Sequence, residues 1–288
     1  MSLISKIDPN KTQNSHFLRV KGVKNLTPNM LRVTLSCPSV THVDESCKGA
    51  HCKLLLPPSD MSEDIFKQVI RIRPSELNLD ERPVRRTYTV RYFRPETREI
   101  DIDFVNHGDN GPASSWARHA DSSSFLGLLG PASPKIKEFY ADWYLVAADM
   151  SALPVAGATI EAMPKKAQGL AIFEVTTEAD KQSFSTPPGI KKHWIVNSNP
   201  HTSSIAQLSF LENLKWRTGI LQTCIAGESS LIKKLRHYLM IEKRVPKQDA
   251  YISGYWKIGL IEDEHRACLL YTSPSPRDAT LSRMPSSA

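Results

Sequence analysis

The chain has 288 residues, room for two domains of ordinary size; 40% are hydrophobic and 23% charged, the balance of a globular protein with a core rather than of a disordered chain. Its net charge of +7 favours anionic partners, whether nucleotides, phosphates, nucleic acid, anionic lipid or acidic small molecules. The five cysteines are odd in number and form no C-x-x-C pair, which points away from a disulfide framework or zinc site and toward a reducing compartment.

The start, "MSLISKIDPNKTQNSHF", lacks the apolar run of a signal peptide, and no stretch approaches a membrane span, so a soluble, cytoplasmic protein is expected. Up to about Pro134, "HFLRVKGVKNL", "MLRVTLSC", "AHCKLLLP", "RTYTVRYF", "EIDIDFVNH" and "FLGLLGP" alternate polar and apolar residues between Pro, Asn and Gly breaks. Six short strands in succession predict a closed or nearly closed antiparallel barrel, with Ser59 to Asp80 a polar excursion between strands. From about Asp142, apolar runs alternate with helices. They are "WYLVAAD", a helix over Ser151 to Met163, "GLAIFEV", "HWIVNS", a helix near Ser203 to Leu214, "LQTCIAG", a helix near Ser229 to Lys243, and "DAYISGYW". That order predicts a parallel α/β sheet buried on both faces. The final "CLLYTSPSPRDATLSRMPSSA" is rich in Ser and Pro without periodicity. It reads as a disordered tail and looks like a translated cloning sequence. The expected domains are a barrel over 1–136, an α/β domain over 137–267 and a non-native tail over 268–288.

"RRTYTVR", Arg85 to Arg91, concentrates positive charge on one strand. Alternation puts Arg86, Tyr88 and Val90 on one face and Arg85, Thr87, Thr89 and Arg91 on the other. A guanidinium beside an aromatic ring can fork onto a phosphate while the ring lies against a flat ligand; a charged protective edge explains the same residues. "DFVNHGDNGPASSWARHA" then runs from a strand into a helix. Gly108 and Gly111 permit close approach, Pro112 suits a first helical turn, and free N–H groups there bind phosphate, with His107 a further donor. A Gly-rich turn capping a helix, with Trp116 in the core, is the plain alternative.

The ordered set "RRTYTVR", "DIDFVNHGDNGPASSWA", "LLGP", "YLVAADMSALPVAGATIEAMP", "AGESSLIKKLRHYL" and "YISGYWKIGLIEDEH" resembles the siderophore-interacting protein family, over roughly Ser15 to His265. These are FAD-dependent ferric-siderophore reductases of the ferredoxin-reductase-like group. The resemblance implies an FAD-binding barrel followed by an NAD(P)H-binding α/β domain. It implies FAD contacts from Arg86, Tyr88, Thr89 and Val90, then Asp103, Val105, His107 and Gly108, and a phosphate-binding helix start at Gly111, Pro112, Ala113 and Ser114. Trp116 and Ala117 match too and are read as packing; Arg85 and Arg91 are read as ordinary surface charge. On the nicotinamide side it implies Asp149, Ala152, Pro154, Ala226, Gly227 and Glu228, although the family's Gly-Asp-Glu-Thr-like run stands here as "AADMSALP". Glu228 reads equally well as an acidic residue in the first turn of the next helix. No G-x-G-x-x-G occurs, as expected for this group.

The implied chemistry is hydride transfer from NADPH or NADH to FAD, then single-electron transfer to Fe(III) in an anionic, catecholate-type siderophore, with no side-chain nucleophile or catalytic base. Lys53 and Lys257 are the candidate substrate contacts; Tyr255 and Trp256 either cover the flavin or pack the domains together. A monomer is expected, with no nucleic acid and no membrane insertion. The alternative keeps the fold and moves the acceptor to a quinone, free flavin or ferric chelate. A basic nucleic-acid binder fits poorly: in "LIKKLRHYLMIEKR" helical spacing leaves an apolar face of Leu231, Ile232, Leu235, Tyr238 and Leu239.

Overall fold

A computed structural model describes residues 12–41, 43–109 and 111–260. Six strands form the first half: β1 (Ser15–Thr27), β2 (Met30–Ser36), β3 (His51–Leu56), β4 (Val84–Arg94), β5 (Glu99–Val105) and β6 (Phe125–Leu129). They close in the order β1-β2-β5-β4-β3-β6, every pairing antiparallel. Alternation turns Leu18, Val33, Leu35, Leu54, Val90, Ile100, Ile102 and Leu128 into the barrel interior. The polar excursion carries a helix that alternation did not reveal, α1 (Glu63–Val69). Its Phe66 and the following Ile70 pack on Leu55 outside the barrel. A second helix, α2 (Pro112–His119), joins the barrel core through Ala113 and Ala117.

The second half is a five-stranded parallel sheet. Its strands are β7 (Trp143–Ala148), β8 (Gln168–Val175), β9 (Gly189–Val196), β10 (Leu221–Glu228) and β11 (Ala250–Trp256), in the order β11-β10-β7-β8-β9. The apolar runs are sealed on both faces. Tyr144, Val146 and Phe173 pack with α3 (Leu153–Ala162); Leu145, Ile172 and Ile225 pack with α4 (Ala206–Glu212) and α5 (Ser229–His237). The apolar face predicted for α5 is found there, since Leu231, Ile232, Leu235, Tyr238 and Leu239 are all buried. The chain passes from β7 outward to β9, then returns to β10 on β7's other side, so a topological switch point lies between the carboxyl ends of β7 and β10.

The barrel meets the sheet on the α3 side. Met30 is buried in the α/β core, and Asn29 donates from its backbone N–H and side chain to Asp180 at 2.9 and 2.8 Å. Arg91 is the principal correction to the sequence reading: it is 2% exposed, not surface charge, and donates to both Glu161 carboxylate oxygens at the end of α3. An irregularity in the β4–β5 pairing between Val90 and Tyr92 breaks the simple alternation there. Lys48 joins Glu161 at 2.5 Å, and the Tyr92 ring lies 4.2 Å from the Arg91 guanidinium. Among the described residues no helix is long and apolar enough to cross a membrane. The predicted tail lies outside the described residues.

Candidate functional site

Two sequence motifs from different elements converge at one end of the barrel. The half-buried Tyr88 ring on β4 sits 4.4 Å from Phe104 on β5, and Phe104 sits 5.9 Å from Trp116 on α2. This aromatic run ties the arginine strand to the glycine-proline helix start. Trp116 and Ala117 serve packing, as expected. The start of α2 has Gly111 at its N-cap and Pro112 at N1, with no side-chain cap. A Cβ on Gly111 would lie 2.8 Å from the exposed His107 ring, which would have to move aside. Gly108 sits at φ +82, and the His107 N–H donates to Ser114 Oγ at 3.2 Å, which pins the loop over the helix start.

These residues fit an FAD molecule. An uncapped helix start suits a diphosphate, and the Arg86 guanidinium stands on the same strand as Tyr88, held by a bond from its Nη1 to Arg85 O at 2.9 Å. Arg86, Tyr88, His107, Gly108, Gly111, Pro112, Ala113 and Ser114 therefore form one candidate surface, with Ala113 and Ser114 offering backbone because their side chains are buried.

Other predicted contacts are used differently. Val90 is fully buried; its N–H donates to Ala50 O and its C=O accepts from Gly49 N, both at 2.8 Å, so no group is left to face a ligand. Asp103 stands opposite Arg32 in the β2–β5 register and accepts both its bonds at 2.7 and 2.8 Å. That carboxylate neutralises a neighbouring strand. Val105 ends β5 and packs against the α/β core. Thr89 is 5% exposed, so its side chain is largely closed off.

At the switch point, Asp149, Ala152, Pro154, Ala226, Gly227 and Glu228 are brought together, largely as a frame. Asp149 accepts from Ser151 N at 2.9 Å, Ser151 Oγ at 2.6 Å, Glu228 N at 2.8 Å and Trp256 Nε1 at 2.7 Å. It thereby ties the carboxyl ends of β7, β10 and β11. Burial pushes its carboxyl up from the ordinary value, against the pull of those donors. Gly227, at φ +150, has no room for a side chain: a Cβ would lie 2.6 Å from Asp149 Oδ2. Glu228 caps α5, accepting from Ser230 N and Leu231 N at 2.8 and 3.0 Å. Ala152, Pro154 and Ala226 are buried, so this crevice presents mainly backbone.

Lys53 lies on β3 opposite Thr87 and hydrogen-bonds to its hydroxyl, which places one substrate candidate beside the arginine strand. Lys257 follows β11 directly and is half-buried. Two basic groups that sequence reasoning missed stand near Lys53. His51 pairs with Thr89 across the β3–β4 ladder, and burial, then Lys135 and Lys53, push its imidazole pKa down. The strand register shows His51 in this neighbourhood; Lys135 lies in the segment between β6 and β7.

Two family models match: the siderophore-interacting FAD-binding domain over residues 19–135 and the siderophore-interacting protein domain over 141–259. The ferric vibriobactin reductase ViuB of Vibrio cholerae is 34% identical over 244 residues, which are 84% of this chain and 89% of that protein. The siderophore-interacting protein SipS of Aeromonas hydrophila superposes with a TM-score of 0.76 at 29% identity, over 90% of this chain and 98% of that one. A ferredoxin reductase of carbazole 1,9a-dioxygenase, 16% identical with a TM-score of 0.60 over 84% of this chain and 68% of that one, shares the fold. The chain has the two-domain ferredoxin-reductase-like fold with an FAD-binding barrel, and it belongs to the siderophore-interacting protein family.

Proposed function

We propose that the chain is a cytoplasmic, monomeric, FAD-dependent NAD(P)H:ferric-siderophore reductase. The observation that carries this reading is the join between the two sites: the Arg86–Tyr88 strand is paired to the strand bearing His51 and Lys53. Cofactor cradle and basic border therefore share one ladder. The likeness to a ferric vibriobactin reductase supports the acceptor.

When bound, FAD supplies chemistry that side chains lack: it takes a hydride and passes on single electrons. Arg86 would fork onto its diphosphate, the α2 start would donate backbone N–H groups, and Tyr88 would flank the ring. The frame around Asp149 and Gly227 shapes the crevice that receives the dinucleotide, at the switch point where open α/β sheets bind ligands. Lys53 and Lys257, with Lys135, would draw in an anionic ferric siderophore of the catecholate type. Fe(III) is hard and oxygen-seeking; once reduced to Fe(II) it binds those oxygens less tightly and leaves. No side chain need act as nucleophile.

The test is steady-state turnover with FAD, either nucleotide and a ferric catecholate, with Fe(II) captured by a colorimetric chelator. FAD-dependent Fe(II) formation is expected. Turnover with a quinone or free flavin but none with ferric siderophores would move the acceptor elsewhere.

A further inference from the structure

NADH and NADPH differ at the adenosine ribose, which carries a free 2′-hydroxyl in the first and a 2′-phosphate in the second. In an open α/β sheet the diphosphate sits at the end of the first strand. The ribose lies at the end of the next strand, where an acidic side chain takes the 2′-hydroxyl of NADH and an arginine takes the 2′-phosphate of NADPH. Here those strands are β7 and β8. Their register sets Ala148 against Phe173, so Asp149 and Glu174 stand side by side at the strand ends. Glu174 is 8% exposed and clasps the loop that follows β9. Its Oε1 accepts from Asn197 Nδ2 at 2.8 Å, and its Oε2 accepts from Ser204 Oγ at 3.0 Å. Beyond that loop, Gln207 in α4 donates to Ala148 O at 3.3 Å, which seats the clasp beside the crevice at the end of β7.

We infer that Glu174 makes the crevice select NADH and reject NADPH; the inference rests on the reductase reading above. An ionised carboxylate offers about four acceptor positions. Asn197 and Ser204 each take one, which leaves acceptor capacity for ribose hydroxyls. A 2′-phosphate in that place would instead meet a second anion, in surroundings too closed for water and salt to screen the repulsion well. The loops at the two strand ends do not offset the charge. Residues 175–180 and 197–204 contain no lysine or arginine, while Glu178 and Asp180 add negative charge to the first of them. Lys181, the next cation along the chain, is paired with Glu178 at 2.5 Å. The imidazole of the second loop, His201, is exposed.

The test compares ADP-ribose with 2′-phospho-ADP-ribose by calorimetric titration of the full chain, a readout that needs no turnover. ADP-ribose should bind at least about tenfold more tightly. Flavin bleaching should show the same preference for NADH over NADPH, carried by KM with kcat little changed. Glu174→Gln keeps the shape and removes the charge, and should narrow the preference by about tenfold in both readouts. If that variant does not fold, Ser198→Arg adds a cation at an exposed position of the same loop and leaves the clasp intact. It should tighten 2′-phospho-ADP-ribose by about tenfold and leave ADP-ribose nearly unchanged. Equal binding of the two ligands by the unaltered protein, or tighter binding of the phosphorylated one, overturns the selection alone. A preference that persists in folded Glu174→Gln overturns the role of Glu174. An unaltered protein that binds neither ligand and whose flavin neither nucleotide bleaches overturns the reductase reading as well.

Discussion

Arg91 on β4 and Glu161 at the end of α3 are joined by two parallel N–H···O bonds of 2.8 and 2.7 Å across the seam between barrel and sheet. Both side chains are nearly sealed, at 2% and 9% exposure. Strand β4 also carries Arg86, Tyr88 and Thr89, so this pair fixes the cofactor strand against the α/β domain.

Glu161→Ala should therefore cost about 3 kcal/mol, because it removes both short bonds to the buried Arg91 and leaves it, among the described residues, only Asp103 at 4.0 Å. Replacing both residues with methionine should cost much less. Urea unfolding of the three proteins checks this.

The same pair sets an acid limit. Burial pushes the Glu161 carboxyl up, but its bonds to Arg91 and Lys48 pull it further, down to about 2. A carboxyl lowered on folding stabilises the fold fully above its unfolded value, here 4.5, and loses that contribution as pH falls toward about 2. Thermal unfolding should show no Glu161 contribution to pH dependence between pH 5 and 8, and a fall below about 4.5 that Glu161→Gln removes.

Two glycines should separate cofactor binding from folding. Gly111→Ala pushes only on the exposed His107 ring, so it should leave the melting temperature nearly unchanged while weakening FAD by roughly tenfold through the disturbed helix start. Gly227→Ala meets both a positive φ and the Asp149 carboxylate, and should destabilise by about 1–3 kcal/mol. Flavin fluorescence titration and thermal melts, run together, read both.

Arg86→Ala should weaken FAD by about 10- to 100-fold, the worth of a charge-assisted hydrogen bond of about 1.5–3 kcal/mol. Arg86 is only half-buried, so unfolding should change little. The fluorescence titration that reads Gly111→Ala also reads this.

Lys53→Glu and Lys257→Glu should leave flavin bleaching by the nucleotide intact. Reoxidation by an anionic ferric siderophore should slow by about tenfold or more, and the difference should shrink as salt rises. Stopped-flow reoxidation at two ionic strengths is the measurement.

Much of the fold was legible because its signals are local. Period-two alternation marks each of the six barrel strands, and apolar runs alternating with helices mark the sheet. Helix α1 escaped because it is short, with two buried residues, Phe66 and Val69, and lies in a polar stretch. Arg91 escaped for a different reason. An irregularity interrupts the alternation around it, and its partner is 70 residues away. Asp103 and Val90 belong to motifs that point to FAD, yet the β2–β5 register gives Asp103 to Arg32, and the turn before β3 takes both backbone groups of Val90. Those assignments depend on long-range pairing, which spacing along the chain does not encode. His51 was hidden in the same way.

The most direct test of the account is an anaerobic absorbance record of the protein loaded with FAD, taken through addition of NADPH or NADH and then a ferric catecholate siderophore. Flavin bleaching by a nucleotide is expected, then return of the oxidised spectrum as Fe(II) appears in a chelator. A flavin that stays bleached in the presence of the ferric siderophore, while another acceptor restores it, would contradict the reductase assignment.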